Sequence, residues 1–214
     1  MQYSEKALSN IFDLIYNAES ISLCDIEYKN TILIIVDMIN GFVNTGIFSN
    51  PRNRIINHKI SIFSQKCDDF GIKKLAFADA HDFNSTEFLS YPQHCIKGSY
   101  ESEITDEIKS VGNYTLINKN STNGFLEPEF KIWLEQHKNV DTFILVGNCT
   151  DICVLQMALS LKAEFNRLNK NSNIIIPMNM VETYDNEEHS AELMNLIMLY
   201  NLSINGIKIV KEII

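Results

Sequence analysis

The sequence lacks the features that would place the protein in a membrane or on nucleic acid. Its apolar runs, such as ILIIV before Asp37, are far shorter than the roughly 20 apolar residues of a membrane-spanning helix. Basic residues are in the minority, with 18 Lys and Arg against 27 Asp and Glu. The net charge of -9 argues against nucleic acid or an anionic membrane as the main partner, because both attract basic surfaces.

The sequence also lacks the cysteine pattern of a disulfide-rich secreted protein. It has five cysteines, an odd number without the spacing of a disulfide framework. The first residues, MQYSEKALSN, show no signal-peptide pattern, so we expect the protein to stay in the reducing cytoplasm. Cys149 and Cys153 resemble half of a zinc cage, but no second pair of this kind completes one.

Two common catalytic motifs are missing as well. There is no G-x-S-x-G motif, which would present a serine nucleophile on a sharp turn. There is also no glycine-rich loop that would cradle phosphates, so nucleotide binding has no support. A catalytic site in this chain would therefore use neither a serine elbow nor a phosphate-binding loop.

Short apolar segments alternate with amphipathic segments along most of the chain. The predicted strands cover residues 31–36, 74–78, 115–118, 143–146, 173–177 and 207–213. The predicted helices cover residues 1–18, 55–70, 126–137, 150–168 and 190–202. This alternation predicts an α/β fold, a three-layer, doubly wound, mostly parallel sheet with helices on both faces. We expect one domain over residues 31–214, with residues 1–30 as an N-terminal extension packed on it.

Four of the predicted strands lead into chemically capable side chains. Asp37 and Asp79 follow the first two strands, Lys119 follows the third, and Cys153 lies in the turn after the fourth. Because parallel strands share one carboxyl edge, these side chains can converge in one crevice. Any one of them alone could be an ordinary solvated residue, but four in one chain favour a catalytic site.

Asp37, Lys119 and Cys153 form a chemically coherent set. An ionised thiol is a strong nucleophile, a nearby lysine favours the thiolate, and an aspartate can take the thiol proton and later protonate a leaving amine. Cys153 is expected in the first turn of a helix, a position that lowers the pKa of a thiol. The backbone amides of Cys149 and Cys153 could stabilise an oxyanion there. The alternative is that Cys153 is a buried structural cysteine.

A second group of residues has the composition of a metal site. Asp79 and His81 form a D-x-H pair at a strand end, where alternate side chains point the same way, and Glu87 and His94 lie on the following loop. Two imidazoles and two carboxylates suit one divalent transition metal such as Zn, Mn or Fe. The alternative for His94 is a structural hydrogen bond. The remaining histidines are predicted to be surface residues: His58, His137 and His189.

Five motifs resemble those of the isochorismatase-like cysteine hydrolases, and among these most closely the nicotinamidases. The motifs are IIVDMINGF at 34–42, ADAHD at 78–82, YPQHCIKG at 91–98, INKNSTNGF at 117–125 and VGNCTDICV at 146–154. The last motif is the most specific, because family members carry G-x-x-T-D-x-C-V there. The resemblance extends from Thr31 to the C-terminus and implies the isochorismatase-like hydrolase fold.

The resemblance also implies how these residues act. Asp37, Lys119 and Cys153 would form the catalytic triad, and a cis peptide bond would precede the amide of Cys149 in the oxyanion hole. One divalent metal would be bound by Asp79, His81, Glu87 and His94. Glu87 would take the place of a fourth ligand that is more often a histidine. The residues implied to contact the substrate are Phe42, Tyr91 and Asn148.

Two of the implied substrate contacts are aromatic residues. Tyr91 stands where nicotinamidases usually have a tryptophan, so an aromatic face is kept while its shape changes. Phe42 matches an aromatic residue that stacks on the substrate ring, and the alternative for it is simple core packing.

The activity implied by the resemblance is hydrolysis of nicotinamide to nicotinate and ammonia through a thioester, a reaction of NAD metabolism and pyridine nucleotide salvage. Three alternatives remain open: a related amidase acting on another small amide or carbamoyl compound, a non-catalytic binding protein of the same fold, and a metal-dependent hydrolase in which Cys153 is structural. The family resemblance also implies a homo-oligomer. The apolar segment 194–202 could bury such an interface or simply the core.

Overall fold

The structure, a computed structural model, describes residues 2–214. Its strands are β1 (Thr31–Val36), β2 (Lys73–Asp79), β3 (Tyr114–Lys119), β4 (Thr142–Asn148), β5 (Asn173–Pro177), β6 (Val181–Glu182) and β7 (Lys208–Val210). Six of them lie side by side in the order β3-β2-β1-β4-β5-β7, and the short β6 pairs with the end of β4. All of these pairings are parallel.

Helices cover both faces of the sheet. They are α1 (Gln2–Tyr16), α2 (Asn40–Val43), α3 (Pro51–Asp69), α4 (Asp106–Val111), α5 (Pro128–Gln136), α6 (Leu155–Arg167) and α7 (Ala191–Ile204). Side chains alternate between the faces along a strand, so β1 sends Ile32 and Ile34 into the core beneath α5, α6 and α7, and Leu33 and Ile35 into the core beneath α3 and α4. The predicted doubly wound, parallel α/β fold is confirmed.

The sequence pattern missed three short elements, α2, α4 and β6, and misplaced some ends. Helix α4, the crossover between β2 and β3, has six residues, too few to show a helical period. Strand β6 has two residues and was not predicted. The terminal strand is shorter than the predicted 207–213, because only Lys208–Val210 pair with β5.

The N-terminal residues pack on the rest of the chain in two ways. Helix α1 lies against α7, and its Ile15 is only 2% exposed in the core beneath that helix. The backbone amide of Ile21 then donates to the carbonyl of Glu212, and that of Ile214 donates back to Ile21. The domain boundary at residue 30 stays a prediction.

Part of the apolar composition of α7 is explained by the protein's own core. Leu196, Leu199 and Leu202 are buried and belong to the cluster beneath α5, α6 and α7. Homo-oligomer formation stays a prediction. Within the described residues, no helix combines the length and apolar character needed to cross a bilayer.

Candidate active site

The carboxyl ends of β1 to β4 meet beside a cavity of about 410 Å³, within the range typical of small-molecule sites. A glycine allows strands β1 and β4 to approach each other closely at this edge. Gly147 has φ +120°, and a Cβ atom on it would lie 2.0 Å from the carbonyl oxygen of Val36. A larger residue would therefore separate the two strands that carry Asp37 and the Cys153 turn.

Asp37, Lys119 and Cys153 converge beside the cavity, and Cys153 lines it. Nζ of Lys119 lies 2.8 Å from Oδ2 of Asp37 and 3.6 Å from Sγ of Cys153, and it forms a further ion pair with Asp79. The side chains of Asp37 and Lys119 are fully buried, and Cys153 is 5% exposed. The chain thus brings together three residues that are more than 30 positions apart in sequence.

The turn at Asp37 is fixed from several sides. Asp37 has φ +52°, in the left-handed region that non-glycine residues rarely adopt. Its amide donates to the carbonyl of Phe77, and Nδ2 of Asn148 donates to its carbonyl oxygen over 2.8 Å. Its Oδ1 accepts from the amide of Asp79. Asn148, predicted to bind substrate, is fully buried and here holds the backbone of the proposed base.

Burial and the ion pairs together determine the charges of Asp37 and Lys119. Burial and the neighbouring Asp79 raise the pKa of Asp37 to about 7, against the opposing effect of Lys119. Burial lowers the pKa of Lys119, but Asp37 and Asp79 outweigh it and raise that pKa well above its ordinary value. Lys119 therefore stays charged, and Asp37 can exchange a proton near neutral pH.

The expected lowering of the pKa of Cys153 is wrong for this structure. Burial raises the pKa of the Cys153 thiol well above its ordinary value, and the effect of Lys119 is too small to reverse it. A thiolate in this buried position, beside two carboxylates, loses solvation. This loss of free energy is larger than the stabilisation that a helix N-terminus would give the thiolate. The resting thiol therefore keeps its proton, and Asp37 lies beside it as an acceptor.

The turn that carries Cys153 differs from a regular helix start. Thr150–Val154, which we call the nucleophile turn, is π-helical, with the amide of Val154 donating to the carbonyl of Cys149, and α6 begins only at Leu155. Such turns are frequent at functional sites. The peptide bond between Asn148 and Cys149 is cis, as the family resemblance implies.

Three of the four predicted metal ligands, Asp79, His81 and His94, place their ligand atoms within 4.8 Å of one another next to the ion pairs, and Glu87 adjoins this group only through His81. Nε2 of His81 lies 3.6 Å from Oδ1 of Asp79 and 3.5 Å from Oε1 of Glu87, and Nε2 of His94 lies 3.8 Å from Oδ2 of Asp79. These distances are too long for hydrogen bonds. They lie at or slightly above the roughly 3 to 3.5 Å that separates atoms about 2.1 Å from one shared metal, so the group is close to the spacing of ligands to one ion.

The two histidines present unpaired nitrogen atoms to this point. His94 has Nδ1 2.8 Å from the carbonyl oxygen of Pro92, so Nδ1 carries the proton and Nε2 is left as a potential ligand. Among the described residues, buried Nε2 of His81 has no hydrogen-bond partner. A buried imidazole nitrogen without a partner is costly, and a divalent cation would satisfy it. The residues present therefore fit a metal ion.

Glu101 supports this cluster, although its place in the sequence gave no sign of it. Its Oε2 accepts the amide proton of Cys95 over 2.9 Å, at a residue with φ +45°. Cys95 follows His94 directly, and its carbonyl oxygen accepts from the amide of His81. Glu101 therefore holds the turn that positions both histidines.

Replacing Glu101 with Ala should weaken zinc binding about 10–100-fold, because the turn after His94 loses its anchor. Glu101→Gln keeps an acceptor oxygen and should bind zinc nearly as well as the natural protein. Competition with a chelating dye measures both affinities. Equal affinities for Glu101→Ala and the natural protein would contradict this role for Glu101.

Aromatic side chains form the wall of the cavity beside His94. Phe42 and Tyr91 line it as predicted residues, and Phe48 joins them, with its ring centroid 4.8 Å from that of His94. Tyr184 lines the cavity from a distant loop. Sequence reasoning missed Phe48 and Tyr184, because both lie in irregular loops without hydrophobic periodicity.

The other histidines have different environments. His58 is exposed and pairs with Glu107, as predicted for a surface residue. His137 is half-buried and stacks on Trp133 with ring centroids 4.0 Å apart. The prediction of His189 as a surface residue is wrong, because its side chain is 14% exposed and contacts the nucleophile turn.

The fold and site together define a cysteine-containing α/β protein of the isochorismatase-like type. The profile of the isochorismatase domain matches residues 31–203, and the chain therefore belongs to the isochorismatase family of hydrolases. The resemblance of its motifs to that family is thereby confirmed.

Individual relatives point in the same direction. The chain is 29% identical to Nicotinamidase 1 of Arabidopsis thaliana, over 85% of each sequence. The pyrazinamidase/nicotinamidase of Streptococcus mutans UA159 superposes with a TM-score of 0.72 at 22% identity, over 84% of this chain and 99% of that one. The pyrazinamidase of Pyrococcus horikoshii, solved in complex with zinc, gives 0.67 at 21% identity, over 85% and 99%.

Proposed function

We propose that the protein hydrolyses nicotinamide to nicotinate and ammonia. The observation that supports this most strongly is the position of Asp79, which pairs with Lys119 on one side and faces His81 and His94 on the other. A cysteine nucleophile and a metal cluster therefore share one cavity with an aromatic wall. This combination suits a flat aromatic carboxamide whose ring carries a metal-binding nitrogen.

The triad residues supply the proton transfers of the proposed reaction. Asp37 takes the proton of the Cys153 thiol as the sulfur attacks the amide carbon. Lys119 stays charged and stabilises the anion that forms between them. The backbone amides of Cys149 and Cys153 are the proposed donors to the oxyanion.

The tetrahedral species then collapses with loss of the amine. Asp37 returns its proton to the departing nitrogen, so that ammonia leaves and the acyl group stays on sulfur as a thioester. Asp37 next takes a proton from water, which attacks the thioester carbon, and returns that proton to the leaving sulfur, so that the carboxylic acid and the free thiol of Cys153 are released. One water is consumed for each ammonia released.

The metal cluster is proposed to orient the substrate. Asp79, His81, Glu87 and His94 would hold one divalent cation, of which zinc, manganese and iron are candidates. When bound, this cation supplies a Lewis-acid partner for the ring nitrogen of the substrate. Phe42, Phe48 and Tyr91 confine the ring beside it.

Ammonia release measured on a panel of amides tests the proposal. Metal-loaded protein should hydrolyse nicotinamide, and removal of the metal with a chelator should raise KM, because the ring nitrogen loses its partner. Benzamide lacks that nitrogen and should be hydrolysed at least about tenfold less efficiently, with little change on chelation.

The other outcomes identify the rival functions. A preference for a carbamoyl compound over nicotinamide would indicate a different amidase of the family. Activity that survives Cys153→Ala but is lost with chelator would indicate metal-bound water as the nucleophile. Absence of ammonia from every amide, with nicotinamide still bound, would indicate a binding protein.

A further inference from the structure

His189 lies between the rim of the cavity and the turn that carries Cys153. Residues 183–189, which we call the rim loop, connect β6 to the start of α7, and Tyr184 in this loop lines the cavity. Nε2 of His189 lies 2.7 Å from Oδ2 of Asp151, and its Nδ1 lies 2.9 Å from the carbonyl oxygen of Tyr184. The side chain of Asp151 is only 6% exposed.

These two contacts determine the charge of His189. A carbonyl oxygen and an ionised carboxylate only accept hydrogen bonds, so both ring nitrogens must carry a proton for both bonds to form. Burial acts against a charged ring, but the hydrogen bonds to Asp151 and to the carbonyl of Tyr184 outweigh it and raise the pKa of His189. His189 is therefore an imidazolium when both bonds are made.

Asp151 is the point at which the rim loop joins the nucleophile turn. Its Oδ1 accepts from Oγ1 of Thr183 over 2.6 Å, while its Oδ2 faces His189. Thr183 and His189 are the first and last residues of the rim loop, so both ends are tied to one carboxylate. Asp151 is also two residues before Cys153 in the nucleophile turn. The contacts of Asp151 therefore connect the position of the rim loop to that of the turn that carries the sulfur.

The ring of Tyr184 rests on His189. The two rings are nearly parallel, 9° apart, with centroids separated by 3.9 Å. A cation against the face of an aromatic ring is attracted by the ring's electron density, so a charged His189 holds Tyr184 more firmly than a neutral one. Tyr184 and Cys153 both line the cavity.

We propose that His189, as an imidazolium, is a positioning residue that ties the rim loop to the nucleophile turn and fixes Tyr184 as a wall of the substrate cavity. It acts through Tyr184 and Asp151. The proposal rests on the proposed function in one respect, because it assigns this wall to the ring of an aromatic carboxamide.

The arrangement has a defined dependence on pH. The groups that face His189 are Asp151 of the nucleophile turn and Tyr184 of its own loop. Because the pKa of folded His189 is raised, both bonds persist at low pH and one is lost as the pH rises through that pKa. Asp185, which also belongs to the rim loop, pairs with Arg52, and Arg52 pairs with Glu182 just before the loop.

Two variants of His189 and one control test the proposal on the metal-loaded protein. His189→Ala should raise KM for nicotinamide about tenfold and leave kcat within about threefold, since the wall moves while the triad stays. It should also speed alkylation of Cys153 by iodoacetamide, because the rim opens. His189→Gln keeps one donor and should give intermediate values. His58→Gln removes an exposed His-carboxylate pair and should change neither quantity.

The charge of His189 is measured directly by NMR titration of its ring nitrogens, assigned by their loss in His189→Gln. Both nitrogens should still be protonated near neutral pH, although this pH lies above the ordinary histidine midpoint of about 6.5. A neutral ring there would overturn the proposal, as would His189→Ala with the KM and alkylation rate of the His58→Gln control. A natural protein that releases no ammonia from nicotinamide would refute the proposed function instead, and the titration and alkylation would still decide the question of His189.

Discussion

Cys153→Ala should reduce kcat for nicotinamide hydrolysis by at least about 10⁴-fold, because no thioester can form without the sulfur. The variant should still bind nicotinamide, since the metal cluster and the aromatic wall are unchanged. The side chain of Cys153 is small and buried, so its loss is also expected to leave the fold intact. Ammonia release measures turnover, and calorimetric titration with nicotinamide measures binding.

Cys149→Ala is the matched control for this prediction. Cys149 lines the same cavity, and its proposed contribution comes from the backbone amide, which alanine keeps. The variant should therefore retain most of the activity. Equal losses in the two variants would contradict the assignment of Cys153 as the nucleophile, as would normal turnover by Cys153→Ala.

Lys119→Met should lower the free energy of unfolding by about 3–5 kcal/mol, because it leaves Asp37 and Asp79 buried without their shared counter-ion. It should also abolish turnover in the fraction that folds, since the carboxylates would hold their protons and Asp37 would no longer act as a base. Urea denaturation near neutral pH measures the stability change, and ammonia release measures the activity.

Lys74→Met separates these two effects. Lys74 is the second lysine with a fully buried side chain, and Nζ lies 2.7 Å from Asp68 and 3.0 Å from Oγ of Ser64, away from the cavity. Its replacement should cost stability for the same reason while leaving kcat of the folded protein unchanged. A Lys119→Met variant as stable and active as the natural protein would show that the buried ion pairs do not have the role assigned here.

The parts of the fold that could be predicted from sequence are those with strong local patterns. The segment TILIIV is apolar at every position after Thr31, which is typical of a parallel strand covered on both faces, and it forms β1 over the same residues. Asp37, Asp79 and Lys119 could be placed at one edge because parallel strands share their carboxyl ends. Their distances and ion pairs required the structure.

The parts that could not be predicted depend on contacts between distant loops. Glu101, Phe48 and Tyr184 lie in irregular segments, where no periodicity indicates which side chains turn inward. His189 appeared to be a surface residue because the sequence around it, DNEEHS, is polar, yet it pairs with Asp151, 38 positions earlier. The direction of the Cys153 pKa shift also depends on burial, which becomes known only when the sheet and its loops are assembled.

Mass spectrometry of protein quenched with acid during turnover of nicotinamide tests the central claim most directly. The account predicts a nicotinoyl group, attached as a thioester, on the peptide that contains Cys153, and none in Cys153→Ala. The adduct should disappear once the substrate is exhausted. Steady ammonia release from nicotinamide with a nicotinoyl group on another residue, or with continued turnover in Cys153→Ala, would contradict the account.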